Sequence, residues 1–450
     1  MGALLNEQKQ LEIFTSETEA ELYHSTARHG FFSILSDTRD SGKRQRSYKL
    51  QEMPRVLSLL DKNRDSWISQ AEFTRPNRRV VNLWRVGLLF VDIDTYHMAQ
   101  LRDKSPEYLV QALLGFCADI GIPPPSITVF SGRGLQAKWL LDEALPRAAL
   151  PRWNRAQAEL VGRLEALGAD VNAKDASRVL RLVQTTNTKN GEMCRVVHVT
   201  EENGRPIEYR FDTLCEYLLP YSREQLSAMR AERAKTKSLF VLNSGNRNTA
   251  NISGLRGFSG RQLAWHRLED LRRLSELRGG YREGERMLHL FWQLNFLLLS
   301  GATNSRQMYH EAKALAHAID NSWHSDQSAL ATLYSKAKQY EAGEQVEFNG
   351  KRYPALYTPR NDTLINLFEI TDDEQRQLKT IITKGMARER HAERDTVRRR
   401  AAGAVNREAY LGQTQQRRQQ AIKLRSQGMS YRLIAHELGV SAASVHNYLK

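Results

Sequence analysis

The sequence predicts an α+β core followed by all-helical material, on three observations. Between residues 80 and 215, short apolar runs of strand length alternate with amphipathic helical patterns. From residue 261 to 342, and again beyond 371, the spacing of apolar residues is helical. Residues 417–450 carry two Ser-capped helical patterns separated by Gly439. A length of 450 residues suggests several domains rather than one. The expected divisions are a core over 1–243, a linker over 244–260, a helical domain over 261–370, a basic helical segment over 371–416 and a terminal unit over 417–450.

Residues 1–80 are mixed and polar, with basic stretches around Lys43–Arg46 and Arg75–Arg79. Residues 86–93 (VGLLFVDI) read as a buried strand: short, continuous and apolar. A helix is expected over 105–120, where Leu109, Leu113, Leu114, Cys117 and Ile120 recur at intervals of three and four. Residues 126–130 form a second strand, running into Ser131-Gly132-Arg133-Gly134. A helix over 151–167 opens with Pro151, ends before Gly168 and gathers Trp153, Leu160, Leu164 and Leu167 on one face. Residues 179–183 and 195–199 read as further strands. Residues 244–260, rich in Gly, Asn and Ser, read as a linker or loop. Residues 345–358 read as a hairpin turning at Asn349-Gly350.

Composition narrows the function classes. No apolar run reaches bilayer-spanning length, and the opening residues lack a basic n-region and a long apolar stretch, so a cytoplasmic protein is expected. Three cysteines without a Cys-x-x-Cys pair argue for reduced, buried thiols rather than a zinc site or a disulfide framework. The net charge of +15 points to an anionic partner. From Lys384 to Lys450 there are 14 Lys/Arg against 5 Asp/Glu, so much of the excess lies at one end.

Three segments carry chemistry. Asp92 and Asp94 stand two apart at the end of the apolar strand, so both point to one face. Carboxylates that close repel one another unless divalent cations lie between them. A strand ending at its solvated edge is the other reading. The turn at Ser131, Gly132 and Arg133 either cradles an anion with backbone N–H groups or is an ordinary tight turn. In the third segment Asp175 opens a strand bearing Arg178 and Arg181, with Thr185-Thr186-Asn187-Thr188-Lys189 beyond. Asp175 is a candidate third metal ligand, and the basic side chains are candidate phosphate contacts.

Together these segments resemble the three motifs of archaeo-eukaryotic primases, including plasmid replication primases and initiators. The apolar strand ending in Asp-x-Asp is followed by a turn often seen as Ser-Gly-x-Gly-x-His-x-x-Trp, here Ser131 to Trp139. Asp-x-Ser-Arg-x-x-Arg with Thr-x-Asn-x-Lys follows, here Asp175 to Lys189. The resemblance implies a primase-like catalytic core with an RRM-like sheet. It implies two Mg²⁺ or Mn²⁺ ions held by Asp92, Asp94 and Asp175. It also implies nucleotide contacts from Ser131, Gly132, Arg133, Gln136, Lys138, Arg178 and Arg181, and attack of a 3′-hydroxyl on an α-phosphate. This sequence has Gln136 where the motif usually has His, and Gln cannot carry a proton or a positive charge. Residues 280–301 bear a looser likeness to helices that follow plasmid primase cores. A generic helix pair explains them equally.

The terminal pattern Gly-Met-Ser-x-x-x-Ile-Ala-x-x-Leu-Gly-Val-Ser-x-x-x-Val is similar to helix-turn-helix domains of the resolvase and sigma-factor type. The resemblance puts Ser444, His446 and Asn447 toward base edges and Arg425 and Arg432 toward phosphates. Residues 384–400 fit either a DNA-gripping arm or a solvated helix softened by Glu389, Glu393 and Asp395. The expected partners are a single-stranded DNA template, duplex origin DNA and nucleoside triphosphates, with no membrane. No Gly-x-x-x-x-Gly-Lys-Ser/Thr loop is present, so unwinding is expected from a separate helicase. The alternative to a primer-making enzyme is a non-catalytic origin-binding initiator with a primase-like core.

Overall fold

A computed structural model describes residues 14–38, 42–220, 225, 227–228, 250–323, 327–348, 350–403 and 407–450. The chain divides into two compact units, Met1–Pro359 with Leu378–Thr380, and Arg360–Gln377 with Ile381–Lys450. The opening residues 1–13, the Asn246-Arg247-Asn248 stretch and Asn349 of the expected hairpin turn lie outside the described residues.

The first unit is built on a mostly antiparallel sheet. Its strands include β1 (Phe31–Thr38), β2 (Gly42–Lys49), β3 (Ser66–Ser69), β4 (Glu72–Phe73), β5 (Leu83–Ile93), β6 (Ile127–Phe130), β7 (Leu135–Pro146), β8 (Val179–Arg181) and β9 (Arg195–Val199). Their order is β8-β3-β1-β4-β5-β7-β6-β9, with β2 also on β1. The expected α+β class is met. Four of these strands come from residues 1–80, which as sequence carry no clear strand pattern: β2 (GKRQRSYK) is largely exposed, so it has no apolar face to alternate. The strand expected to reach residue 183 stops at Arg181, and Gln184 takes a left-handed backbone, φ 63°.

Helix α1 (Ser16–Glu21) is capped by Thr15, and α2 (Met53–Ser58) buries Met53 and Leu57. Helix α3 (Pro106–Asp119) starts where Ser105 caps the Tyr108 amide. Helix α4 (Leu150–Arg163) ends in a short 3-10 turn and Gly168 at φ 93°. It packs along the bare edge of β5. There the fully buried Gln157 amide accepts from the Phe90 N–H (3.2 Å) and donates to its carbonyl (2.5 Å), replacing a missing strand. Helix α5 (Phe211–Leu218) closes the sheet domain.

Helices α6 (Ala250–Leu277), α7 (Arg286–Leu299), α8 (Met308–Ile319) and α9 (Ala331–Glu341) follow. The linker expected over 244–260 is therefore corrected from Ala250 onward, where helix begins; residues 244–249 lie outside the described residues. Gly254, Gly257 and Gly260 lower the helix propensity of this stretch, which hid the helix from the sequence pattern. A strand pair, Gln345–Phe348 with Lys351–Pro354, forms the expected hairpin, with Gly350 at φ 70°.

The helices join the sheet domain at the turn Val80–Asn82. The buried Glu311 of α8 accepts the Val80 and Val81 amides (3.0 and 3.1 Å). Arg147 donates to the Val80, Val81 and Leu83 carbonyls and pairs with Glu269 of α6. Charged groups thus satisfy a buried turn that has no ladder of its own.

The second unit holds α10 (Asn361–Leu367), α11 (Asp372–Gln377), α12 (Lys384–Ala401), α13 (Arg407–Ser426), α14 (Tyr431–Glu437) and α15 (Ala442–Leu449). The last three pack around Ala421, Ile434, Ala435 and Val445, with Ser430 and Ser441 as N-caps.

Candidate active site

The end of β5 places Asp92 and Asp94 in a cavity of about 390 Å³. Its lining also includes Lys43, Trp67, Tyr96, Ser131, Arg133, Gln136, Arg178, Arg181, Asn187 and Lys189. Two carboxylates stand on one side of the lining chemistry, and five basic side chains make up the rest of the charge.

The carboxylate end is held by backbone pairing. Asp92 and Gln136 are register partners on β5 and β7. On the free edge of β5, the Asp170 N–H donates to the Asp92 carbonyl (2.8 Å), and the Asp94 N–H donates to that of Gly168 (2.8 Å). Asp170 thereby joins the acidic cluster. Burial, with repulsion from Asp94 and Asp170, pushes the Asp92 carboxyl up to about 7. Arg178 and Arg181 oppose that shift, and a divalent cation beside the Asp92–Asp94 pair would oppose it further, so the pair fits such an ion. Among the described residues no three His, Cys, Asp or Glu side chains are grouped so as to hold a metal ion. Mg²⁺ commonly takes one or two carboxylates and fills its octahedron with water and substrate phosphates.

The turn at residues 131–134 lies against this end. The Ser131 N–H donates to the Gly134 carbonyl (2.9 Å), and the Thr95 hydroxyl donates to the Arg133 carbonyl (3.2 Å). A Cβ on Gly134 would stand 2.3 Å from the Ile93 carbonyl oxygen, so only glycine lets the turn approach β5. Gly132 has φ 92°, and a Cβ there would meet Asn187 at 2.7 Å. Asn187 in turn donates to the Ser131 carbonyl (3.0 Å) and accepts the Lys189 amide (3.2 Å). The Thr-x-Asn-x-Lys segment is thus the brace of the turn as well as a source of charge. The Arg133 guanidinium lies 4.0 Å from the Tyr96 ring centroid.

The sheet curls so that β8 faces β7. With its amide turned to satisfy both partners, Gln136 accepts from the Arg181 N–H (2.9 Å) and donates to the Arg181 carbonyl (3.3 Å). Gln136 lines the cavity, yet its amide is committed to the backbone of β8. Neutral histidine offers one donor and one acceptor on a rigid ring; the planar amide suits two adjacent backbone groups better. The Arg181 side chain pairs with Asp65 and lies 4.9 Å from the Trp67 ring centroid. Asp65 also accepts from the Thr188 hydroxyl. Asp65, Trp67 and Asp170 carry no motif in the sequence; a lone acid after Gly168, next to a helix end, is the only signal Asp170 offers.

Two of the expected site residues make their contacts elsewhere. Asp175 does not line the cavity: it pairs with Arg178 (2.9 Å) and accepts from the Ser177 hydroxyl (2.7 Å). Asp170, likewise outside the cavity lining, is the acid set beside Asp92, because the Gly168–Asp170 segment completes the edge of β5. Lys138 is also absent from the lining. It is fully buried, bonded to Glu19 of α1 (2.5 Å) beneath the Tyr23 ring, because α1 covers that stretch of β7.

In the second unit, Arg425, Arg432, His446 and Asn447 are exposed and Ser444 is half-buried. Arg425 donates to the Met429 carbonyl (2.8 Å) and lies 4.8 Å from the Tyr431 ring centroid, so it also holds the turn between α13 and α14.

No family model matches the chain. Over 349 residues it is 27% identical to a replication protein of Clostridium perfringens, covering 76% of this chain and 74% of the relative. Solved structures with a likeness include the primase-polymerase domain of cyanophage S-2L, 17% identical, spanning 47% of this chain and 97% of that one, at a TM-score of 0.33. The primase RepB' is another, 15% identical over 71% of this chain and 95% of that one, at a TM-score of 0.27. A catalytic domain of RepB' in complex with initiator DNA is 16% identical, covering 46% and 90%, with a TM-score of 0.27.

Proposed function

We propose that this chain, a relative of a replication protein, is a primase of the archaeo-eukaryotic type that makes or extends primers on single-stranded DNA. The observation that carries the reading is one cavity in which Asp92 and Asp94 share the lining with Arg133, Arg178, Arg181 and Lys189. Acids alone would repel a triphosphate, and bases alone would hold it without activating it. Both together suit transfer of a nucleotidyl group.

Asp92 and Asp94, with Asp170 adding charge nearby, would hold Mg²⁺ or Mn²⁺. When bound, such ions supply charge neutralisation on the α-phosphate and lower the pKa of an attacking 3′-hydroxyl. The chain's own groups do the rest. Lys189 and Arg178 attract the triphosphate, and the glycine turn lets backbone N–H groups come near it. Arg181, held by Asp65 and Trp67, presents fixed charge rather than a searching side chain. Gln136 positions β8 and moves no proton, so its presence in place of histidine leaves the chemistry to the carboxylates. The exposed residues of α14 and α15 would bring the protein to duplex origin DNA.

The test is primer synthesis on single-stranded DNA with all nucleotides and Mg²⁺ or Mn²⁺. Wild-type protein is expected to make product, and Asp92→Asn/Asp94→Asn to lose about 10³-fold in rate. Absence of product from folded wild-type protein with every template and metal, while duplex binding persists, would replace this reading with a non-catalytic initiator.

A further inference from the structure

Helix α12 (Lys384–Ala401) runs for 18 residues without one buried side chain. Helices of globular proteins usually persist because they bury an apolar stripe. Here the candidates for such a stripe are few, and Val397 is 66% exposed. Protein partners that pack helix on helix therefore have little to cover.

Charge on the helix is sorted instead. At 3.6 residues per turn, Lys384, Arg388, Arg394, Arg398 and Arg399 fall on one half of the circumference. Asp395 is the one acid among them, bonded to Arg398 (3.1 Å) and near His391 (3.9 Å). Glu389 and Glu393 lie on the opposite half with Arg400. All five cations of the basic half are exposed. Arg390, at the flank, donates to the Gln375 and Arg376 carbonyls (2.9 and 2.7 Å), which ties the helix to the segment before it. Thr383 caps its start.

We infer that the basic half of α12 lies along the phosphate backbone of duplex DNA and binds it without regard to sequence. Lys384 to Arg399 spans about 22 Å of helix axis, and duplex DNA carries a negative charge about every 1.7 Å. Exposed arginine forks along one side of a helix match a row of phosphates. The inference adds a second contact to the terminal three-helix reader and rests on the reading of the chain as a DNA-binding replication protein.

The experiment measures the affinity of the full chain for a duplex from about 50 to about 200 mM salt. Each lost phosphate contact lowers the slope of log K against log salt by about 0.9. Arg388→Gln/Arg394→Gln/Arg399→Gln is therefore expected to lower the slope by about 2.7, equally on any sequence. The corresponding triple change to Lys is expected to keep it. Helicity by circular dichroism checks that α12 survives. An unchanged slope in the Gln variant overturns the inference, as does a loss confined to one sequence. Asn447→Ala separates the two contacts: it should alter preference among sequences and leave the α12 part of the slope intact. If the wild type shows no sequence preference while the Gln variant still loses slope, the reader fails and α12 stands.

Discussion

At the residue scale, Gln136 shows how a position can line a cavity and still serve the scaffold. Its amide bonds both backbone groups of Arg181, the residue whose side chain Asp65 and Trp67 orient. Removing it leaves a buried donor and acceptor unsatisfied, at about 1–3 kcal/mol each. Gln136→Ala is expected to lower thermal stability and raise the KM for nucleotide more than it lowers kcat. A pure loss of kcat with unchanged KM would instead give the amide a role on the reacting atoms. The motif pattern identified this position from sequence but not its task, since its partner lies 45 residues away on another strand. Asp170 was hidden for the same reason, and the more conspicuous Asp175 lies in an ion pair with Arg178.

At the element scale, the site depends on how closely a turn approaches a strand. Gly134 stands where a Cβ would come 2.3 Å from the Ile93 carbonyl oxygen. Backbone on both sides has no rotamer to yield with. Gly134→Ala is expected to cost about 1–3 kcal/mol and to displace the turn from the Asp92–Asp94 end. Denaturant unfolding with a primer-synthesis assay would show both losses together; full stability and activity would mean the turn has room to shift. Strand β5 was legible as an unbroken apolar run because it is buried on both faces, and helices α3 and α4 because burial of one face imposes a period on their residues. Strand β2 was not, since an exposed polar edge leaves no such trace.

At the scale of the whole molecule, one turn and a few charges help join the sheet domain to helices α6 to α8, beside direct packing of α4 on α6. Glu311 accepts two amides of that turn while itself buried. Its burial pushes its carboxyl up, and the two N–H groups oppose that shift. Glu311→Ala strands both amides and is expected to cost about 3 kcal/mol. Limited proteolysis should then release a sheet-domain fragment earlier than in wild type. An unchanged digestion pattern would mean that the Arg147 and Arg272 bonds to the same turn suffice.

The features legible in the chain were local: the apolar strand with its two acids, the glycine turn, the capped terminal helices and the uneven charge. Each is written in neighbouring residues, through side-chain period, backbone freedom or capping chemistry. Which distant groups meet was settled by packing. It put Asp170 rather than Asp175 with the acid pair, buried Lys138 against Glu19 and turned Gln136 toward β8. Those outcomes follow from which strand edge is free and which helix covers it. Neither is set by residues adjacent in the chain.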